Sequence, residues 1–230
     1  MTIIFISCDK DSSTKINSSI NNTSGCGGQT TETDIDGNIY NVISIGNQCW
    51  FKENLKTTRY KNGVPIQTGL TNNQWQNANS GAYANYNDDI NLSNIYGKIY
   101  NYYAAESPNG LCPTNWHVAT KTDFDTLIQS IETIYGIPDS TAGGAMKEIG
   151  ITHWSTPNNG ATNLTQFTAL PGGYRNNSGL YQGIGGWGIF IQVDNYWGNL
   201  RFTIRNGVPA FSYYGLFGPE VGGSVRCVKD

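Results

Sequence analysis

The sequence predicts a mixed fold in which short strands, tight turns and long structured loops surround one well-marked helix, and three observations carry that reading. The first is composition: 28 Gly, 14 Tyr and 6 Trp among 230 residues, with abundant Asn and Thr, favour strands and turns over helical bundles. The second is a succession of short β-branched and aromatic runs punctuated by Asp-Gly, Gly-Asn and Asn-Gly pairs, the spacing of strands joined by turns. The third is a single stretch, Thr120 to Gly136, that carries both ends of a helix.

In that stretch Thr120 and Asp123 make a capping pair. The Thr hydroxyl can accept from an orphan amide while the carboxylate sits at the positive helix end. Phe124, Leu127, Ile128, Ile131 and Ile134 then fall on one apolar stripe, and Gly136 and Pro138 stop the helix. Upstream, Leu111-Cys-Pro-Thr-Asn-Trp-His-Val118 runs a Cys-Pro turn and an apolar segment into the cap, so the rest of the chain is expected to be built around this region.

The length suits one large domain, or one domain with an extension, with a core that does not depend on disulfides. Charged residues are 13% and the net charge is -3, which leaves no basic surface for nucleic acid and no acidic block. The five cysteines contain no Cys-x-x-Cys pair and no neighbouring His suited to zinc. With Cys8 set aside, the other four can form two disulfides, which suits an oxidising compartment.

In chain order, Met1 to Ser7 is apolar and ends at Cys8 before polar Asp9-Lys10-Asp11, which resembles the end of a bacterial lipoprotein signal, truncated at its start. Residues 1–8 are therefore expected to be that signal with Cys8 as the lipidation site, 9–31 a Ser, Thr, Asn and Gly tether, and 32–230 the domain. Cys26, inside the tether, could close back on Cys49. Thr33 to Leu55 reads as paired strands, Asn62-Gly63 as a hairpin turn, and Thr71 as the cap of a short helix carrying Trp75. Asn85 to Asn94 reads as a polar loop, and Ile95 to Ala105 fits strand and helix equally. Ala142 to Glu148 reads as a turn with a helical piece, and His153 to Asn163 as a long loop. After Phe167 to Arg175, strands are expected at Ile189 to Val193, Leu200 to Arg205, Val208 to Tyr214 and Ser224 to Lys229.

Taken together, Thr33-Asp-Ile-Asp-Gly-Asn-Ile-Tyr40, Ile45-Gly-Asn-Gln-Cys-Trp-Phe-Lys-Glu-Asn-Leu55, Tyr96-Gly-Lys-Ile-Tyr-Asn-Tyr-Tyr-Ala104, Leu111 to Thr120, Leu170-Pro-Gly-Gly-Tyr-Arg175 and Ser224-Val-Arg-Cys-Val228 resemble the Fibrobacter succinogenes major paralogous domain over about Thr33 to Asp230. The resemblance implies an α+β domain, similar to C-type lectin-like and sulfatase-modifying-factor-like folds, with twisted antiparallel sheets, about two helices and long irregular loops. It also implies that Cys112 and Cys227 pair, and that the protein sits at the bacterial cell envelope, anchored in the outer membrane or exposed on the surface. Formylglycine-generating relatives of that fold use a close pair of late cysteines, and here only Cys227 lies late.

No catalytic residue is assigned: His117 and His153 read as structural, because a catalytic histidine needs oriented partners. Asp88 and Asp89, among Asn85, Asn87, Asn91 and Asn94, are weak calcium candidates, and their spacing matches no EF-hand. No other metal and no cofactor is expected. Trp187, Tyr196, Trp197, Phe211, Tyr213 and Tyr214 offer rings for stacking, and Asp194, Asn195, Tyr196 and Trp197 with Trp187 form the candidate binding surface. The leading expectation is a non-catalytic binding or adhesion module for glycans or a cell-surface protein. An enzyme akin to the formylglycine-generating oxidases and a purely structural surface protein are the alternatives.

Overall fold

The computed structural model describes residues 25–193, 201–214 and 218–230. Cys8, most of the expected tether, and Asp194, Asn195, Tyr196 and Trp197 lie outside the described residues.

The first strands form the expected meander: β1 (Thr31–Thr33), β2 (Ile39–Ile45) and β3 (Gln48–Phe51) pair antiparallel. Asp34 closes the first turn by accepting from the amides of Asp36 and Asn38, both at 2.9 Å, an Asx turn that local sequence dictates. Helix α1 (Asn72–Gln76) carries the expected Thr71 capping box and buries Trp75. Strands β4 (Tyr83–Ala84) and β5 (Ile99–Tyr100) pair around helix α2 (Ile90–Tyr96), and α3 (Tyr102–Ala105) follows. Thus the stretch compatible with strand and helix is divided among the end of α2, β5 and α3.

Then come β6 (Trp116–Val118), α4 (Lys121–Tyr135) and α5 (Asp139–Met146). The C-terminal half adds β7 (Gly172–Arg175), β8 (Tyr181–Ile184), β9 (Trp187–Ile191), β10 (Arg201–Arg205), β11 (Phe211–Tyr214) and β12 (Cys227–Lys229). The class is α+β. The described residues hold five α-helices where about two are expected. Helices α2 and α3, of 7 and 4 residues, are too short to show a helical period, and each starts on a side-chain cap, Asp89 and Asn101.

One sheet runs β1-β2-β3-β12-β6 and a second β11-β10-β9-β7-β8. Alternation along β3 sends Trp50 and Phe51 to opposite faces. Trp50 joins the core under α4 with Phe124, Leu127, Ile131, Phe167, Phe190 and Phe202. Phe51 joins a separate core with Tyr40, Tyr100, Trp116 and Val225. The α4 stripe is buried from Phe124 through Ile131, with Ile134 only partly covered, and Phe124 stacks on Phe202 of β10 at 4.2 Å, so α4 holds the two sheets to one core.

The segment from Val221 to Lys229 sews the sheets together. Gly222 and Gly223 bridge to Arg175 and Tyr100, Ser224 bridges to Phe190, and β12 then enters the first sheet between β3 and β6. A Cβ on Gly222 would sit 2.6 Å from Ile99 and 2.8 Å from Trp75, so only glycine lets these chains close. Next along, Arg226 is fully buried. Its guanidinium donates to Asn54 Oδ1 (2.7 Å) and to the carbonyls of Phe51 (2.7 Å), Phe167 (2.9 Å) and Thr168 (3.1 Å), and lies 4.3 Å from the Phe167 ring.

Three other buried cations repeat the device. Lys147 donates to the carbonyls of Asn159, Arg205 and Val208, Arg175 to those of Gly179 and Leu70 between the Trp75 and Tyr181 rings, and Arg201 to that of Val221. Loop carbonyls that no strand pairs would be costly to bury without donors. Burial lowers the Arg226 pKa to about 9 and that of Lys147 to about 8, still on the charged side at neutral pH.

Two disulfides complete the frame, Cys26–Cys49 and Cys112–Cys227. The first pins the turn before β1 to β3, within the stretch expected as tether. The second is the pair the family resemblance implies; it closes 115 residues of sequence, worth about 4 to 5 kcal/mol by chain entropy. Replacing Arg226 by Met should leave its buried acceptors without donors and lower stability by more than about 3 kcal/mol. Urea unfolding of the R226M variant measures this.

Candidate binding surface

Strand alternation divides the second sheet into two faces. Phe202 and Ile204 of β10 point to the α4 core, while Arg201, Thr203 and Arg205 pair across with Ile191, Ile189 and Trp187 on the opposite face. On that face β11 sets Tyr214 opposite Arg201, and β7 sets Tyr174 opposite Gln182 of β8. Ile189, Ile191, Arg201 and Thr203 are covered. Trp187, Tyr174 and Arg205 are half-buried, Tyr214 and Gln182 exposed.

These side chains form one stack across the five strands. The Tyr174 and Trp187 rings lie 5.9 Å apart and 30° from parallel. On the other side of Trp187 the Arg205 guanidinium lies 4.2 Å from the indole, and it is also 5.1 Å from the Tyr214 ring. The Tyr174 hydroxyl donates to Gln182 Oε1 at 2.6 Å. Burial pushes the Tyr174 phenol up, and the nearby Arg205 charge pulls the other way. Gly183, at φ +78°, leaves room for the indole: a Cβ there would meet Trp187 at 3.2 Å. Stacked side chains of this kind cover one another's faces and offer solvent their edges and in-plane donors.

The structure therefore sorts the ring candidates. Trp187 and Tyr214 stand on this outer face, whereas Phe211 and Tyr213 pack toward α4, Phe211 on Phe202 at 5.0 Å and Tyr213 with its hydroxyl on Asp125 at 2.6 Å. Residues 194–200 connect β9 to β10, and Tyr214 pairs with Arg201, the first described residue beyond them. Sequence reasoning missed Tyr174, Gln182 and Arg205. The alternation Arg-Phe-Thr-Ile-Arg in β10 was the available signal, but it names a face only once the register is known.

An open cleft of about 530 Å³ is lined by Lys61, Tyr102, Glu106, Trp116, His117 and Val193 among others. His117 has oriented partners after all: Nδ1 is 2.7 Å from Asp230 Oδ1 and Nε2 is 3.0 Å from Asp123 Oδ2. Asp123 is also the N3 member of the α4 capping box, accepting from the amide and hydroxyl of the N-cap Thr120, so the histidine fastens Asp230 to that capping box. The Asp123 hydrogen bond raises the His117 pKa, burial opposes it, and Asp230 adds to the rise.

The remaining candidates are also engaged. Asp89 caps α2 through the Asn91 amide at 2.8 Å, and Asp88 accepts from the Tyr181 hydroxyl at 2.8 Å. Among the described residues no group of three or more His, Cys, Asp or Glu is placed to hold a metal. His153 lies 2.9 Å from both Glu148 oxygens and edge-on to Tyr96. All four described cysteines are in disulfides, and a disulfide sulfur is not a thiolate nucleophile.

Because the His117 pKa is raised in the folded state, its contribution to stability is fully present below the unfolded value of about 6.5 and fades as pH rises through the folded value. His117→Asn should remove that slope, and unfolding curves of the two proteins from pH 5 to 9 check it.

No curated protein and no solved structure matches the chain. The model of the Fibrobacter succinogenes major domain matches residues 43–229, a span that holds the seam, the buried arginines and the aromatic stack, and the chain belongs to that family.

Proposed function

We propose that this chain is a cell-envelope lipoprotein, held in the outer membrane by a lipid on Cys8, whose domain binds glycans rather than catalysing a reaction. The lectin-like kinship that the family resemblance implies is part of this reading. The observation that carries it is the half-exposed stack of Tyr174, Trp187, Arg205 and Tyr214, ring-rich and edged by the amide of Gln182, which suits sugar rings and their hydroxyls. Asp194, Asn195, Tyr196 and Trp197, outside the described residues, stay in this reading as candidates from the sequence. The oxidase alternative needs a free thiolate pair, and the pairing of Cys227 with Cys112 weighs against it. No described helix is long and apolar enough to cross a membrane; the anchor in this reading is the lipid on Cys8.

A glycan array should yield at least one ligand. Trp187→Ala should then weaken its binding by about 1 to 3 kcal/mol with the melting curve little changed, and Trp197→Ala reports whether the 194–197 loop takes part. Copper-dependent oxygen consumption with a cysteine-containing peptide would instead favour the oxidase. For the anchor, intact mass of the membrane fraction should show a diacylglyceryl addition at Cys8; unmodified Cys8 in protein made from its natural start rejects it.

A further inference from the structure

Arg205 differs from the other described arginines, each of which donates a side-chain hydrogen bond, Arg201 to the Val221 carbonyl among them. Arg175 and Arg226 spend their donors on backbone carbonyls, and Arg59 pairs with Asp36 at 2.6 Å. The Arg205 Nε has no hydrogen-bond partner among the described residues, and none of the ion pairs formed among them includes Arg205. Its guanidinium is nevertheless held firmly, between Trp187 at 4.2 Å and Tyr214 at 5.1 Å, with its own carbonyl fixed by Lys147 at 3.1 Å.

The guanidinium lies over the Trp187 and Tyr214 rings, and a planar cation takes further partners in its own plane. There its N–H groups form a fork that matches a carboxylate in a bidentate way. An oriented, half-buried charge without a counter-ion, in a protein of net charge -3, calls for an anionic partner. The groups flanking that fork are the Trp187 and Tyr214 rings, and aromatic rings of this kind stack on the faces of sugar rings.

We infer that this surface recognises a carboxylate-bearing saccharide, a uronic-acid oligomer, with Arg205 gripping the carboxylate and Trp187 and Tyr214 flanking it. The inference rests on the glycan-binding reading above and adds the class of sugar.

The test is calorimetry of the full-length protein with galacturonic-acid oligomers and with neutral galactose oligomers of equal length. The acidic oligomer should bind at least tenfold more tightly at low ionic strength, with the advantage shrinking as salt rises. Arg205→Met should erase the ratio of acidic to neutral affinity, whatever it does to the neutral affinity itself, and Arg205→Lys should restore only part of that ratio, because charge without the fork is kept. Competition on the wild-type protein, where free galacturonate should displace the oligomer and galactose should not, reads the same preference without relying on a variant. Equal binding of acidic and neutral oligomers, or a preference untouched by Arg205→Met in a folded variant, overturns the carboxylate inference while the glycan module stands. Tighter Arg205-dependent binding of a sulfated oligomer or of polyglutamate also overturns it. No binding of any saccharide by the folded protein overturns both.

Discussion

The guanidinium of Arg226 is the interaction on which the rest of the structure depends. It sits in the segment that passes from β9 and β5 into the first sheet, and it donates at once to the end of β3, to Asn54 and to the 167–168 loop. Residues 51–54 and the 167–168 loop are more than a hundred residues apart in sequence and meet at this one side chain. A neutral side chain there would leave their carbonyls buried and unpaired, whereas one cation with a fixed fork of donors satisfies them together. Its faces are used as well, lying over Phe167 and Phe190 of the α4 core, so the same residue joins the polar seam to the apolar packing.

This arrangement explains how a chain with so much irregular loop keeps a dense interior. Regular strands pair their own carbonyls, whereas those of Asn159, Arg205 and Val208, in or beside the irregular stretches, take a donor from Lys147. Arg175 does the same for the turn between β7 and β8 and for Leu70. The device has a functional corollary. Lys147 fixes the carbonyl of Arg205 and Arg175 fixes the strand that bears Tyr174, so both ends of the exposed stack are held from below by buried cations. A surface preorganised in this way loses little side-chain entropy when it binds.

Local chemistry made much of this legible in the sequence. The Thr120 cap, the apolar stripe through Ile131, the Asp34 turn and the Thr71 helix each depend on residues a few positions apart, and each is formed as the sequence implies. The six spaced blocks identified the family, and with it the Cys112–Cys227 pair. Helices α2 and α3 were not legible, because a helix of one or two turns owes its existence to capping and packing rather than to a period.

What the sequence determined by itself is therefore the family, the α+β class, the main helix and the places where the chain turns, all set by short-range steric and capping preferences. Only the tertiary structure decided which rings face outward. Trp187 and Tyr214 stand on one side and Phe211 and Tyr213 on the other because period-two alternation assigns a side chain to a face only after strand register is fixed. It also decided that Arg205 forms no ion pair among the described residues while Arg226 donates to four acceptors. Both are arginines in apolar β segments, and the difference between a structural cation and one open to a ligand lies in which carbonyls the folded chain brings within reach.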